Sequence, residues 1–456
     1  MSEAFAPLLH LTNDLATGKT TSRALVEQAL AAIAAPDGEG RRTFVQTHAE
    51  AARKQAEAYD AQRKAGISVP PLAGIPMSVK DLFDEAGCIT TAGSHVLEDA
   101  PRATQDAPAI CNLKQAGLIS VGRTTMTEFA FSGVGVNPHT GTPANPWDRT
   151  NMRIPGGSSS GAAISVTDGM AAIGIGSDTG GSCRIPAALT GLVGYKPTAS
   201  RISTDGTVPL SFTLDSVGSL GRTVSCCWAA DCALSGQTVR AEDAPDPTAL
   251  SAPRFGVLQT YVLDGMDDTV TAAYQNTLQL LEKSGATLQD VTFQALTTLP
   301  ELNRLGGFPA PESLTWHEKL IATKADLYDP FVLKRILRGK EQNAVDYINL
   351  MRNRKSLITK AHGFFDDFDA ILLPTVPIIA PRMADLTEDE TYTRTNLLLL
   401  RNPTVANFLD GCAISLPCHT QDTAPVGLMA MCMRHQDDKL FALAAWMERA
   451  LKHYAL

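Results

Sequence analysis

Residues 153–197, RIPGGSSSGAAISVTDGMAAIGIGSDTGGSCRIPAALTGLVGYKP, decide how the rest of the chain is read. The loop Gly156-Gly157-Ser158-Ser159-Ser160-Gly161 has too little side chain to be held by packing. Its glycines tolerate positive φ and let backbone amides come close to a ligand. The small apolar run 162–170 predicts a tightly packed helix, and residues 171–176 predict a buried strand. That strand delivers a second polar turn, Ser177-Asp178-Thr179-Gly180-Gly181-Ser182, and Pro186 limits how a following helix can begin. Two Gly/Ser turns joined by one helix and one strand can face each other across a small volume. That is how a hydrolytic site is assembled.

Outward from this stretch, the pattern is one of short apolar runs alternating with helical ones. Residues 75–80 predict a strand with Lys80 at its C-terminal end, 107–117 a helix and 118–122 the next strand. Strands alternating with helices point to an α/β sheet covered on both faces, with reactive residues where strands end and loops begin. Upstream, Leu25, Val26, Ala29, Leu30 and Ile33 recur at helical spacing after Thr20-Thr21, and 48–65 predicts a second helix ended by Gly66. Downstream, the polar, Pro-bearing connector 240–247 precedes a strand at 255–258 and an amphipathic helix over 269–285. Residues 295–360 are helical in character and carry no catalytic signature. A strand at 369–374 and a helix over 439–452 close the chain.

The bulk numbers narrow the class. The chain has 456 residues, 44% of them apolar and 19% charged, which is the composition of a soluble globular protein. A net charge of −9 argues against a nucleic-acid surface or a polybasic membrane patch. No apolar run approaches the roughly 20 residues of a membrane span. The N-terminal segment MSEAFAPLLHLTNDL lacks the pattern of a secretory signal, so a cytoplasmic location is expected. Nine irregularly spaced cysteines predict buried, reduced thiols, with Cys226, Cys227 and Cys232 in an apolar run. The nine histidines show no HExxH-like spacing, so no metal or other cofactor is expected.

Three motif readings compete at the Gly/Ser turns. Gly157-Ser158-Ser159-Ser160-Gly161 satisfies a GxSxG elbow with Ser159 as nucleophile, but residues 148–155 are polar and end in Pro rather than forming the strand an elbow needs. Gly174, Gly176 and Gly180 have the wrong spacing for a dinucleotide loop. Cys183, beside the second turn, raises thiol chemistry as a third reading.

GGSSSGAA followed by GSDTGGSCRIPAALTGLVGYKPT resembles the amidase signature family of serine hydrolases. The similarity also takes in residues 71–81, 122–130 and 145–148, then 413–417 and 425–428 near the end. It runs from about residue 20 to 240 and resumes from about 365. The resemblance implies the family's α/β fold, a central mixed sheet covered on both faces by helices. It also implies a single domain over 1–456: a helical arm (1–70), a signature core (71–240), a variable region contributing to the substrate pocket (241–400) and a C-terminal return to the core (401–456).

What it implies for the site is assigned position by position. Ser182 matches the nucleophile, Ser158 the bridging serine 24 residues before it, and Lys80 the base. A cis peptide bond is expected before Ser158. Backbone N–H groups of Thr179, Gly180, Gly181 and Ser182 would form the oxyanion hole, with Asp178 and Arg184 bracing the loop and Ser159 hydrogen-bonding within the site. A lysine at its ordinary value of about 10.4 cannot accept a proton near pH 7, so burial must lower it. Ser160 and Cys183 depart from the glycine and the aliphatic residue usual at their positions, and the latter favours a buried Cys183 over thiol chemistry. The implied activity is cofactor-independent hydrolysis of a small-molecule amide, with indoleacetamide hydrolases and aryl-acylamidases as the nearest types and a homodimer left open. The competing expectations are the amidase subunit of a glutamyl-tRNA amidotransferase, which the divergent 295–400 segment disfavours, and a catalytically silent scaffold.

Overall fold

In the computed structural model, which describes residues 4–454, eleven strands form one mixed sheet. They are β1 (Phe44–Thr47), β2 (Pro76–Lys80), β3 (Ile119–Thr124), β4 (Ile173–Ser177), β5 (Val193–Lys196), β6 (Val217–Gly221), β7 (Arg254–Leu258), β8 (Thr287–Val291), β9 (Ala370–Pro374), β10 (Cys412–Pro417) and β11 (Gly427–Cys432). Their order is β1-β3-β2-β4-β6-β5-β10-β11-β9-β7-β8. The first three residues of the N-terminal segment lie outside the described residues.

Every residue of β2, β3 and β4 is buried, as expected for strands covered by helices on both faces. β2 runs parallel to both β3 and β4, and β6 closes antiparallel on β4. The α/β architecture expected from the sequence is therefore present. The connector at 240–247 does not divide the sheet. β10 pairs with β5 and β11 with β9, so the C-terminal strands join the half before the connector to the half after it.

Local chemistry explains the element ends. Thr21 caps the helix Ser22–Ala34 by accepting the Ala24 N–H, and Asp267 caps Asp268–Lys283 by accepting that of Val270. The helix predicted over 162–170 spans Ser160–Thr167. Gly169 turns the chain at φ +67°, and the Met170 and Ala171 N–H groups close back on the Ser165 carbonyl. Pro186 lies in the first turn of the helix Arg184–Thr190, where an amide hydrogen has no intrahelical partner to lose.

Candidate active site

β2 and β4 end side by side, and Lys80 is the last residue of β2. Its ammonium is fully buried and donates to three hydroxyls: Ser158 Oγ at 2.7 Å, Ser177 Oγ at 2.8 Å and Ser159 Oγ at 3.0 Å. Three N–H bonds meet three acceptors, so the charged form is saturated with hydrogen bonds yet has no carboxylate in contact. Burial dominates and pushes Lys80 down to about 8.

Ser158 follows a cis peptide bond from Gly157. Its carbonyl accepts the Thr127 N–H at 3.1 Å, and the Gly157 N–H is taken by the Gly133 carbonyl at 2.9 Å. Ser159 is the residue before the helix Ser160–Thr167, with no strand leading into it from 148–158. Its hydroxyl donates to the Ser177 carbonyl at 3.3 Å. The elbow geometry that would make Ser159 a nucleophile is absent from these residues. Gly176 is required beside it, because a Cβ there would sit 2.6 Å from Ser159 Oγ.

The second turn meets the first through the backbone. The Ser159 N–H donates to the Ser182 carbonyl at 3.2 Å, placing the two serine turns against each other. Lys80 and Ser158 are thus directly bonded. Among the described residues Ser182 Oγ bonds to no protein group, Ser158 included.

Asp178 organises this turn from below. Its Oδ1 accepts from the Gly181 N–H (2.9 Å), Arg184 Nη2 (2.8 Å) and Asn407 Nδ2 (2.9 Å). Its Oδ2 accepts from the Cys183 N–H and Arg184 Nε, both at 3.1 Å. Burial alone would raise the Asp178 pKa, but the charge and hydrogen bonds of Arg184, with Asn407, hold it well below the usual carboxylate range. Arg184 also donates to the Pro403 carbonyl and to Asn407 Oδ1, tying the turn to the helix Pro403–Phe408. Gly181 adopts φ +130°, and a Cβ on it would lie 2.6 Å from Pro403 Cβ.

The four amides expected to form the oxyanion hole differ in their partners. The Gly181 N–H donates to Asp178 Oδ1 at 2.9 Å. Among the described residues the N–H groups of Thr179, Gly180 and Ser182 donate to no protein acceptor. Cys183 is fully buried and burial pushes its thiol up to about 12, so it is a neutral packing residue. All nine cysteines are free. No group of three or more His, Cys, Asp or Glu that could hold a metal occurs among the described residues.

Sequence reasoning missed Ser177, Asn407 and Asp215. Ser177 had a signal: it ends the strand paired in parallel with β2, one step past the Lys80 level. Asn407 had none, since it reaches Asp178 from 229 residues away.

The Amidase family model matches residues 24–441, a span that takes in the signature-poor stretch 295–360. The 2-amino-5-chloromuconic acid deaminase of Comamonas testosteroni is 36% identical over 403 residues, covering 87% of this chain and 86% of that protein. A glutamyl-tRNA(Gln) amidotransferase subunit from Salinispora arenicola is 31% identical over 482 residues, covering 96% and 95%. A crystal structure of an amidase superposes with a TM-score of 0.88 at 31% identity, covering 98% of this chain and all of that one. On sequence and fold together, the chain belongs to the Amidase family, the amidase signature hydrolases that act on amides.

Proposed function

We propose that the chain hydrolyses a small-molecule carboxylic amide to an acid plus ammonia or an amine, through an acyl-enzyme on Ser182. The observation that carries this reading is the Lys80 ammonium, fully buried and 2.7 Å from Ser158 Oγ, beneath a turn with three unpaired amides. Neutral Lys80 keeps two N–H donors for Ser159 and Ser177 and turns its lone pair to the Ser158 hydroxyl. Ser158 passes its proton to Lys80 while taking that of Ser182, whose oxygen attacks the carbonyl carbon. The Thr179, Gly180 and Ser182 amides receive the oxyanion. Lys80 returns the proton through Ser158 to the leaving nitrogen, the C–N bond breaks, and water releases the acid by the reverse route.

Two features support the small-molecule class over a tRNA-linked role. The 36% identical relative carries the name of a small organic acid, and the net charge of −9 disfavours an RNA surface. The amidotransferase match spans 96% of the chain, so the 295–400 segment does not by itself separate the two. A cytoplasmic location fits nine free cysteines, and a homodimer is compatible with the fold. The deciding experiment is a screen of the purified chain against alkyl and aryl amides, reading ammonia or amine release. Turnover by the chain alone supports the reading. Release that requires added amidotransferase partners favours the other role, and binding without turnover by either route favours a silent scaffold.

A further inference from the structure

Asp178 and Arg184 hold the far end of the 178–184 turn; its near end rests on a residue from a different segment. We propose that Asp215 is a positioning residue that sets the orientation of the Thr179–Ser182 amides, an inference that rests on the oxyanion role proposed above. The Thr179 hydroxyl donates to Asp215 Oδ1 at 2.5 Å, while Asp215 Oδ2 accepts the Leu210 and Ser211 N–H groups at 2.9 and 3.0 Å. One carboxylate therefore spans two loops.

The adjoining residues form a backbone clasp just beyond the β4–β6 ladder. The Asp178 N–H donates to the Ser216 carbonyl at 2.8 Å, and the Ser216 N–H and hydroxyl return to the Asp178 carbonyl at 3.1 and 2.8 Å. The clasp fixes Asp178, and Asp215 fixes the residue after it. Thr179 N–H is one of the three unpaired amides, so anchoring the Thr179 side chain restrains the φ that aims that amide.

The support extends into the variable region. Glu312 accepts from the Ser211 hydroxyl at 2.5 Å, from the Thr213 N–H at 3.1 Å and from the Tyr347 hydroxyl at 2.7 Å. Residues outside the recognisable motifs thus bear on the turn through 211–215. Burial raises Asp215 to about 6, with the Glu312 charge adding to the rise and the hydrogen bonds from Thr179, Ser211 and Leu210 opposing it. The Asp215 charge in turn favours protonated Lys80. Above about pH 6 the carboxylate accepts all three donors. Below it, a proton on Oδ1 reverses the Thr179 bond, with the carboxylic acid donating to the Thr179 hydroxyl while Oδ2 keeps its two backbone N–H groups.

The test uses the full chain, an amide turned over by the wild type, and a fluorophosphonate that labels Ser182. Asp215→Asn should lower kcat by about 10- to 100-fold, less than the loss of a whole oxyanion donor, with KM changed less than about threefold. Its kcat/KM limb should also move to lower pH, because Lys80 loses a nearby negative charge whatever role Asp215 has; a fall in kcat with KM held is the readout that a merely structural role would not give. Asp215→Glu should recover part of kcat. Thr179→Val leaves the carboxylate and its two backbone bonds in place, so it carries the test if Asp215→Asn does not fold. It should lower kcat, and in a folded double variant the two losses should not multiply. Wild-type kcat in Thr179→Val, or fully multiplicative losses, would overturn the proposal while the Ser182 reading stood. A wild type that neither turned over an amide nor labelled at Ser182 would remove that reading and this proposal with it.

Discussion

Asp178 and Arg184 share two hydrogen bonds at 2.8 and 3.1 Å with neither side chain exposed to solvent. Removing one partner leaves the other charge buried and uncompensated, which costs about 3–5 kcal/mol. Arg184→Met should therefore lower the denaturant midpoint strongly, because the Asp178 carboxylate keeps the Gly181 and Cys183 amides but loses its buried counter-charge. The Asp178 pKa is depressed in the fold, so the carboxylate contributes stability above its unfolded value of about 3.9 and loses it as pH falls below that. In Arg184→Met that acid-side loss of stability should shrink. Urea melts from pH 3 to 7 check both outcomes.

The Lys80 shift makes a second prediction, with a slope of the same sign in an alkaline window. A lysine whose folded pKa lies near 8 binds fewer protons than the unfolded chain between there and its ordinary value. This group's contribution to stability therefore rises with pH across that window. In Lys80→Met the contribution should vanish, seen as a flatter melting temperature between pH 8 and 10. Unchanged slopes would mean that Lys80 is not desolvated.

Activity should follow the same group. At pH 7 a lysine near 8 is neutral in about one molecule in ten, against about one in three thousand at its ordinary value. The kcat/KM profile should climb to a limb near pH 8 that belongs to the coupled Lys80–Ser158–Ser182 unit. Lys80→Ala and Lys80→Arg should each lose at least about 100-fold, since guanidinium cannot accept the proton in this range. Ester substrates should suffer less than amides, because an alkoxide leaves with less help from a proton.

Cys183, beside Ser182, should be inert. Its thiol is buried and pushed up to about 12, so iodoacetamide at pH 8 should leave it unmodified in the folded chain and alkylate it after denaturation. Peptide mass mapping reads the difference. Rapid modification in the native state would contradict the packing described for this turn.

The legible parts of the sequence are those whose chemistry is local. The Gly/Ser turns, the capping Thr21 and the strand ending in Lys80 each declare themselves within a few residues. β5 and β6 are not legible as strands, because Val217-Gly218-Ser219-Leu220-Gly221 is short and glycine-rich and becomes a strand only by pairing between β4 and β5. β10 and β11 are visible only as similarity to a family, not as strands with partners. At the site, Lys80, Ser158 and Ser159 are named by the sequence and do meet, whereas the Asn407 contact depends on a helix brought in by the C-terminal strands. The spent Gly181 amide is equally hidden, since no spacing rule says which amide a neighbouring carboxylate will claim.

Ser182 is the residue proposed to carry the acyl group. The most direct measurement is intact-mass analysis with peptide mapping after incubation with a serine-directed fluorophosphonate. It should be run on wild type and on Ser182→Ala, alongside amide turnover. One adduct on Ser182 in the wild type, none in the variant, and loss of turnover in a variant that melts like the wild type are the expected results. An adduct on Ser159, or amide turnover retained in Ser182→Ala, would contradict that role.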